Sequence, residues 1–550
     1  MNCDASRTDP IGAVRDVRVH VVPQGREITV RRNTMLLDAL RASHFEVAAS
    51  CGGRGECGHC RVRFVSAPPL PTESDRRTFS SGELEAGWRL ACQHRLAHSA
   101  EIWVGFPSFS PSDTKLVLDG LSRFRTSSPS RETPAEYGVV LDLGTTTLVG
   151  HLIDLTGCEV ACSLNLLNSQ IPYGADVVAR IAHARTPEGH RHLVATLRQD
   201  VRVLVSSLLD ASGVEPQALV SGWIAGNPTM LHFFTGADPS PLGRAPFAPR
   251  FKGGLSIPAA DLGVDAAAGT VFSTAPIVSG FVGSDAVCAA GATGLGRTDQ
   301  TVLVLDIGTN AEILLAHAGR LYATSAAAGP AFEGVGISCG LPARAGAVYA
   351  IKRNNGLQLE TIGAAAAAGF CGTGLIDLVA ILLENGLIMP SGKLVSDRKT
   401  EATLAVEMQE DRVVLRNSGL YLTQKDIRVL QLAVGAMRVG MRQLLATAGI
   451  RPADVQSVIV TGTFGFSLSP NSMCSLGLIE PAWRTLVATR PNAAGEGAAH
   501  CLISSEARCT SQEIASRMRF VALETSPGFQ DCFVAALRFP DPISGDCRNP

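Results

Sequence analysis

Two stretches of the chain are near copies of one another: YGVVLDLGTTTLVGHLIDL from Tyr137 and, counting from Asp142 to Asp306, 164 positions later TVLVLDIGTNAEILLAHAGRLYATS from Thr301. Each runs unbroken apolar residues into Asp-x-Gly-Thr and out into a second apolar run. That is the pattern of a buried strand, a glycine turn and a returning strand. The unit is an internal repeat.

The turns suit a nucleotide's phosphates. Gly144 and Gly308 let backbone amides approach an anion, Thr145, Thr146, Thr309 and Asn310 supply donors, and Asp142 and Asp306 are the candidate catalytic residues, holding Mg²⁺ through water. One such turn alone is ordinary chemistry between strands. Two in matching context face each other as a clamp. A third element, VQSVIVTGTFGFSL, runs a buried strand into a turn, and Gly462, Thr463 and Gly465 fall where a nucleoside-binding loop belongs. Ile427, Leu430, Val434, Met437 and Met441 keep a helical period. GLIMPSGKL fails as a P-loop, because it is one residue too long and carries Leu394 where a Mg²⁺-ligating hydroxyl is needed. Asn227, His232 and Glu333 are weaker candidates, each equally suited to satisfying buried backbone groups.

The first hundred residues read differently. Val17, Val19 and Val21 alternate with polar residues, EITV returns after PQGR, and a short helix follows with Leu36, Leu37 and Leu40 apolar; RVRFV and AEIWV complete the set. This order resembles a β-grasp ferredoxin. Between the helix and RVRFV lies CGGRGECGHC, giving Cys51-x5-Cys57-x2-Cys60, with Cys92 in RLACQHRL as a distant fourth. Plant-type [2Fe–2S] domains use a closely related spacing. Gly52, Gly53, Gly55 and Gly58 allow the backbone to aim N–H groups at the sulfurs. Structural zinc on the same cysteines, with His59 or His94, is the alternative; zinc loops usually pair their ligands as two knuckles, whereas three lie together here. The G-x-G-x-x-G at Gly53, Gly55 and Gly58 follows a helix instead of opening one, so it is not a dinucleotide fingerprint.

At 550 residues there is room for about three or four domains. Charge is balanced, 48 basic against 50 acidic residues, so nothing marks a nucleic-acid or anionic-membrane binder. The N-terminus lacks a signal-peptide core, and IGAAAAAGFCGTGLIDLVAILL carries Asp377 and repeated glycines, which suits a buried helix better than a membrane span. A cytoplasmic location is expected. Of fifteen cysteines only Cys51, Cys57, Cys60 and Cys92 look organised, so a disulfide framework is not expected. Residues 107–135 are rich in Ser, Pro and Thr and read as a linker.

Taken together, LDLGTTT, LDIGTNAE and VTGTFG resemble the phosphate and adenosine loops of the actin, sugar-kinase and heat-shock chaperone ATPases. With SGWIAGNPTMLHFFTG, GPAFEGVGISCG, CGTGLIDLVA, TQKDIRVLQLA and PNAAGEGA, and with the ferredoxin segment in front, the chain from about residue 15 to 540 resembles the reductive activators of corrinoid-dependent enzymes. The resemblance implies an α/β multidomain fold: an α+β β-grasp ferredoxin domain at 14–106, a flexible linker at 107–135, then a two-lobed actin/hexokinase-like ATPase of duplicated RNase H-like folds. Its first lobe spans 136–300 and its second 301–550. It further implies a [2Fe–2S] cluster on Cys51, Cys57, Cys60 and Cys92, and ATP with Mg²⁺. The implied function is ATP-dependent reduction of cob(II)alamin to cob(I)alamin on a corrinoid methyl-carrier protein, with a separate low-potential electron donor and with a homodimer left open. Some members carry extra [4Fe–4S] clusters; Cys501, Cys509, Cys532 and Cys547 lack clustered spacing, so none is expected here. Two other readings stand beside it: an activator of a different low-potential enzyme, such as a radical-type dehydratase, and a nucleotide-binding redox regulator. Electron flow in the first reading is uphill from a cluster near about −400 mV, each 59 mV of a one-electron deficit costing about 1.4 kcal/mol.

Overall fold

The structure, a computed structural model, describes residues 16–22, 26–43, 55, 60–79, 81–85, 87–103, 136–174, 176–334, 336–341, 343, 346–354, 356–462, 468–523 and 528–541. They form two compact units, the first carrying residues 16–103 and the second the bulk of the chain from residue 136. The expected linker, 107–135, lies outside the described residues.

In the first unit the alternation at the N-terminus becomes strand β1 (Asp16–Val22), with Val17, Val19 and Val21 buried and Asp16, Arg18 and His20 exposed. β1 pairs antiparallel with β2 (Arg26–Arg31), Val19 opposite Ile28, and parallel with β5 (Ala100–Trp103), Val21 opposite Ile102. β3 (Arg61–Phe64) and β4 (Trp88–Leu90) complete a five-stranded sheet in the order β2-β1-β5-β3-β4. Helix α1 (Leu36–Ala42) lays Leu36, Leu37 and Leu40 on it. This is the β-grasp arrangement.

The second unit shows why the repeated hairpins matter. β6 (Tyr137–Leu143), β7 (Thr147–Asp154) and β8 (Glu159–Leu167) form an antiparallel meander, and β9 (Leu219–Gly226) runs parallel beside β6; β11 (Val271–Thr274) and β10 (Ser256–Pro258) extend the sheet. The second hairpin repeats the plan: β12 (Val302–Ile307), β13 (Ala311–His317) and β14 (Arg320–Ala326) form the meander, and β15 (Ser457–Thr461) runs parallel to β12. β16 (Val487–Thr489) and β17 (Met518–Phe520) close its two edges. Two RNase H-like sheets with equivalent central strands make this an actin-like ATPase fold.

Helices cover the sheets, each with legible ends. α2 (Pro187–Ser212) starts at Thr186, whose hydroxyl accepts from the Gly189 N–H, and stops at Gly213 in the left-handed conformation. α3 (Pro228–Thr235) follows β9, capped by Asn227. α4 (Ser284–Ala292) precedes the second sheet. α5 (Gln424–Ala448) opens with a Thr423–Asp426 capping box and buries Ile427, Leu430, Val434, Met437 and Met441, the stripe its sequence period predicts. α6 (Ala493–Ile503) and α7 (Ser505–Arg517) follow β16. The apolar stretch around Asp377 forms the helix Gly372–Glu384, buried from Gly372 to Leu383. No helix among the described residues is long and apolar enough to cross a membrane.

The lobes exchange helices. α4 comes from the first half of the chain, yet Ala286, Val287 and Ala290 pack with Val302, Val304 and Leu314 of the second sheet. α6 comes from the second half, yet Ala498, Ala499 and Leu502 pack with Val140, Trp223 and Ala225 of the first. α4 and α6 also pack on each other.

Candidate active site

The two Asp-x-Gly-Thr turns meet across a cleft of about 720 Å³, its open mouth included. In each, the glycine N–H closes a tight turn: Gly144 donates to the Thr147 carbonyl and Gly308 to the Asn310 carbonyl, both at 3.1 Å. A side chain at Gly144 would stand 2.4 Å from the Thr147 oxygen, so the first turn admits only glycine. The turns touch: Thr146 Oγ1 and Thr309 Oγ1 lie 3.0 Å apart, and Thr309 donates to Glu333 Oε1 at 2.6 Å. Behind the first turn, Asn227 Nδ2 donates to Thr145 Oγ1 at 3.0 Å, and the buried Arg180 donates to the Thr145 carbonyl at 2.6 Å.

Asp142, Gly144, Thr145, Thr146, Asp306, Gly308, Thr309, Asn310 and Gly462 all line this one cleft. Gly462 ends β15 with φ +98°, and a Cβ there would sit 2.4 Å from the Ile307 carbonyl and 2.8 Å from Asp306 Oδ1. Its bareness keeps the third loop in contact with the second. Thr463 and Gly465 lie outside the described residues. Of the weaker candidates, Asn227 and Glu333 line the cleft and His232 does not. His232 Nδ1 donates to the Pro228 carbonyl at 2.6 Å and Nε2 accepts from the Arg250 N–H at 3.0 Å, so the ring is a neutral structural group with both nitrogens engaged.

Among the cleft residues that the sequence candidates did not include are two carboxylates and an amide. Asp285 stands in the first turn of α4; Glu312 sits on β13 directly across from Asp306; Asn492 caps α6. Asn492 holds φ +38°, accepts from the Gly495 N–H at 2.9 Å, and leaves its Nδ2 without a partner. Glu333 Oε2 is likewise buried and unpaired.

Five carboxylates in one enclosed space cannot all be charged at ordinary pKa values. Burial, then repulsion from Asp285 and Asp306, pushes Asp142 far up; burial lifts Asp285 to about 6; burial, then Asp285, lifts Asp306 to about 7. Glu312 and Glu333 are raised chiefly by burial as well. Two like charges about 4 Å apart repel by about 4 kcal/mol at an effective dielectric near ~20. A divalent cation removes that repulsion, and acceptor oxygens with spare lone pairs are what Mg²⁺ takes. The cleft thus fits a Mg²⁺–nucleotide: carboxylates for the metal, glycine turns and hydroxyls for phosphates, orphaned polar atoms awaiting partners.

The first unit holds the second chemistry. Cys60 and Cys92 are both buried, and the Cys92 N–H points to Cys60 Sγ at 3.5 Å. Gln93 Nε2 donates to Cys92 Sγ at 3.3 Å. Asp75 fixes this segment from both sides: it accepts from Leu90 N–H at 2.8 Å and from His94 Nε2 at 2.7 Å, two residues before and after Cys92. Burial works to raise the Asp75 pKa, but the bonds from His94, Leu90 and Thr72 outweigh it and hold the carboxyl at about 2. Adjacent sulfurs that already receive N–H bonds suit thiolates around an iron–sulfur cluster. Cys51 and Cys57 lie outside the described residues.

Comparison with known proteins agrees with this division. Residues 19–97 match the 2Fe-2S iron-sulfur cluster binding domain, 137–298 the RACo middle region, and 300–544 the C-terminal domain of RACo, the ASKHA domain. The corrinoid activation enzyme RamQ of Eubacterium limosum is 30% identical over 437 residues, covering 76% of this chain and 72% of RamQ. A [Co(II) methylated amine-specific corrinoid protein] reductase of Methanosarcina barkeri is 27% identical over 62% of this chain and 65% of its own. Among solved structures, a reductive activator for a corrinoid, iron-sulfur protein superposes with TM-score 0.69 at 26% identity, over 96% of this chain and 98% of that one.

Proposed function

The chain belongs to the corrinoid-activating (RACo) family, and from that premise we propose that it reduces the cob(II)alamin of a corrinoid methyl-carrier protein to cob(I)alamin, in a methyltransferase or demethylase system, at the expense of ATP. The observation that carries the reading is the pair of carboxylate-bearing glycine turns facing each other over one buried cleft. We assign the ferredoxin domain to residues 14–106, the linker to 107–135, and the lobes to 136–300 and 301–550. Cys51, Cys57, Cys60 and Cys92 would hold the [2Fe–2S] cluster, which when bound would pass on one electron at low potential taken from a separate low-potential donor. A cytoplasmic location is part of this reading, since the cysteines outside the cluster are scattered singly along the chain.

We propose the following roles for the cleft residues and for the loop that follows β15. Asp142 and Asp306 end equivalent strands and hold Mg²⁺ through water. The amides of Gly144 and Gly308 and the hydroxyls of Thr145, Thr146 and Thr309, with Asn310, bind phosphate oxygens. Gly462, Thr463 and Gly465 shape the nucleoside pocket. Asp285, at the start of α4 and poised near neutrality by burial, orients the attacking water and takes its proton. Because Thr146 and Thr309 already touch, a terminal phosphate entering between them must part the turns, and its departure lets them rejoin. That stroke passes through α4 and α6 to the lobes and changes how the corrinoid partner is gripped.

Partner-stimulated turnover tests this. ATP hydrolysis by the full chain should rise severalfold when a cob(II)alamin-loaded carrier protein is added, and fall back when the carrier is already in the cob(I) state. Turnover indifferent to the carrier would favour a redox-sensing regulator instead.

A further inference from the structure

Where α4 and α6 cross, the helices touch backbone to backbone. A Cβ at Gly497 would lie 1.9 Å from the Cys288 carbonyl oxygen and 2.8 Å from its Cα. Cys501 is one turn beyond Gly497 on the same face of α6, and it shares one buried cluster with Cys288, its S–H directed at the Ala507 carbonyl at 3.7 Å. Both cysteines line a groove of about 1080 Å³, its mouth included, between α4 and the α6–α7 pair, rimmed by the Arg297–Glu506 ion pair at 2.6 Å. Both residues are buried, so an oxidant that reaches them through the groove has to be small.

We propose that Cys288 and Cys501 are a peroxide-responsive dithiol that closes to a disulfide and locks the nucleotide cleft. The two sulfurs are unequal. Cys501 has Arg508 beside it, donating to the Cys501 carbonyl at 2.7 Å; the neighbouring Cys288 thiol and this guanidinium hold the Cys501 thiol below the ordinary value against its burial, whereas the neighbouring Cys501 and burial raise Cys288. Cys501 is therefore the attacking thiolate and Cys288 the resolving thiol. In the first step the Cys501 sulfur attacks hydrogen peroxide: an S–O bond forms, the O–O bond breaks, and the leaving hydroxide takes up a proton to become water. In the second, the Cys288 sulfur displaces hydroxide from the sulfenic acid: the S–S bond forms, the S–O bond breaks, and the Cys288 proton leaves with the hydroxide as water. Two thiols lose two electrons and one peroxide becomes two waters.

The consequence lies at the other ends of the same helices. The first turn of α4 carries Asp285 and the cap of α6 carries Asn492, both in the cleft. A covalent tie one turn below Asp285 stops α4 and α6 from sliding. ATP is then spared when an oxidant has discharged the electron that hydrolysis is meant to deliver. The locking half of this proposal rests on nucleotide turnover in the cleft; the disulfide itself does not.

The test uses the full chain with its cluster reconstituted anaerobically. Hydrogen peroxide is added, remaining thiols are alkylated, and peptides are mapped by mass spectrometry while ATP turnover is followed. The expected result is a Cys288–Cys501 cross-linked peptide and a severalfold fall in turnover, and, on adding dithiothreitol, loss of the cross-link and recovery of turnover. Cys288→Ser and Cys288→Ala should keep basal turnover, form no cross-link and resist peroxide; thermal unfolding of both establishes that they fold. Cys288 and Cys501 still alkylatable after the exposed Cys509 and Cys532 have been oxidised would overturn the proposal, as would a cross-link that leaves turnover unchanged. If the chain turned over no ATP at all, the reading of the cleft would fall, and the peptide map would still decide the thiol pair.

Discussion

Asp306 shows how one residue's surroundings set its chemistry. With its pKa lifted to about 7, and that of Asp285 to about 6, both above the usual carboxylate range, the folded chain without Mg²⁺ binds more protons than the unfolded chain between about pH 4 and 7. Stability of that form therefore falls as pH rises through this window. Mg²⁺ binding to Asp306 must expel its proton, so Mg²⁺ affinity should drop about fivefold from pH 7 to 6 on account of this carboxylate, measured by calorimetry with a non-hydrolysable ATP analogue. An affinity flat across that range would mean that Asp306 does not meet the metal. Gly462 gives a steric test. With φ +98° and a Cβ 2.4 Å from a carbonyl, Gly462→Ala should weaken nucleotide binding by at least about 1–3 kcal/mol, read as a rise in nucleotide Kd, while the visible absorption of the cluster is kept. Asp142 and Asp306 were legible because the hairpin occurs twice. Asp285, Glu312 and Asn492 were not: a helix start, a cross-strand neighbour and a cap reach the cleft only through topology, although Glu312 sits in the LDIGTNAE stretch, six residues after Asp306.

At the scale of elements, β4 and the turn after it act as a holder for Cys92. Asp75 ties Leu90 to His94 around it, and Gln93 reaches back to its sulfur at 3.3 Å. An N–H donor to a cluster sulfur favours the reduced, more negative state. Gln93→Leu should leave the cluster assembled but lower its midpoint by about 40 mV, the equivalent of one hydrogen bond of about 1 kcal/mol. A redox titration followed by electron paramagnetic resonance measures the shift; an unchanged potential would mean that the bond does not reach the cluster. Elements with strong local periodicity were readable in advance, among them β1, α5 and the helix around Asp377. The exchange of α4 and α6 between the lobes was not, since their small residues signal close packing without saying against what. Gly497 has meaning only once Cys288 is placed beside it.

At the scale of the molecule, a low-potential electron carrier and a nucleotide clamp are joined in one chain, and the proposed stroke of the clamp runs through two crossed helices. The repeated hairpin announced two lobes, and the cysteine spacing announced the carrier. The coupling between carrier, clamp and corrinoid is the central claim. Its most direct measurement is anaerobic: the protein, reduced in its cluster, is mixed with a carrier holding cob(II)alamin, and the cob(I)alamin absorption band is followed with Mg²⁺–ATP, without nucleotide, and with Asp306→Asn. The account predicts that cob(I)alamin accumulates only with ATP and the unaltered Asp306. Equal accumulation without nucleotide, or with Asp306→Asn, would contradict it.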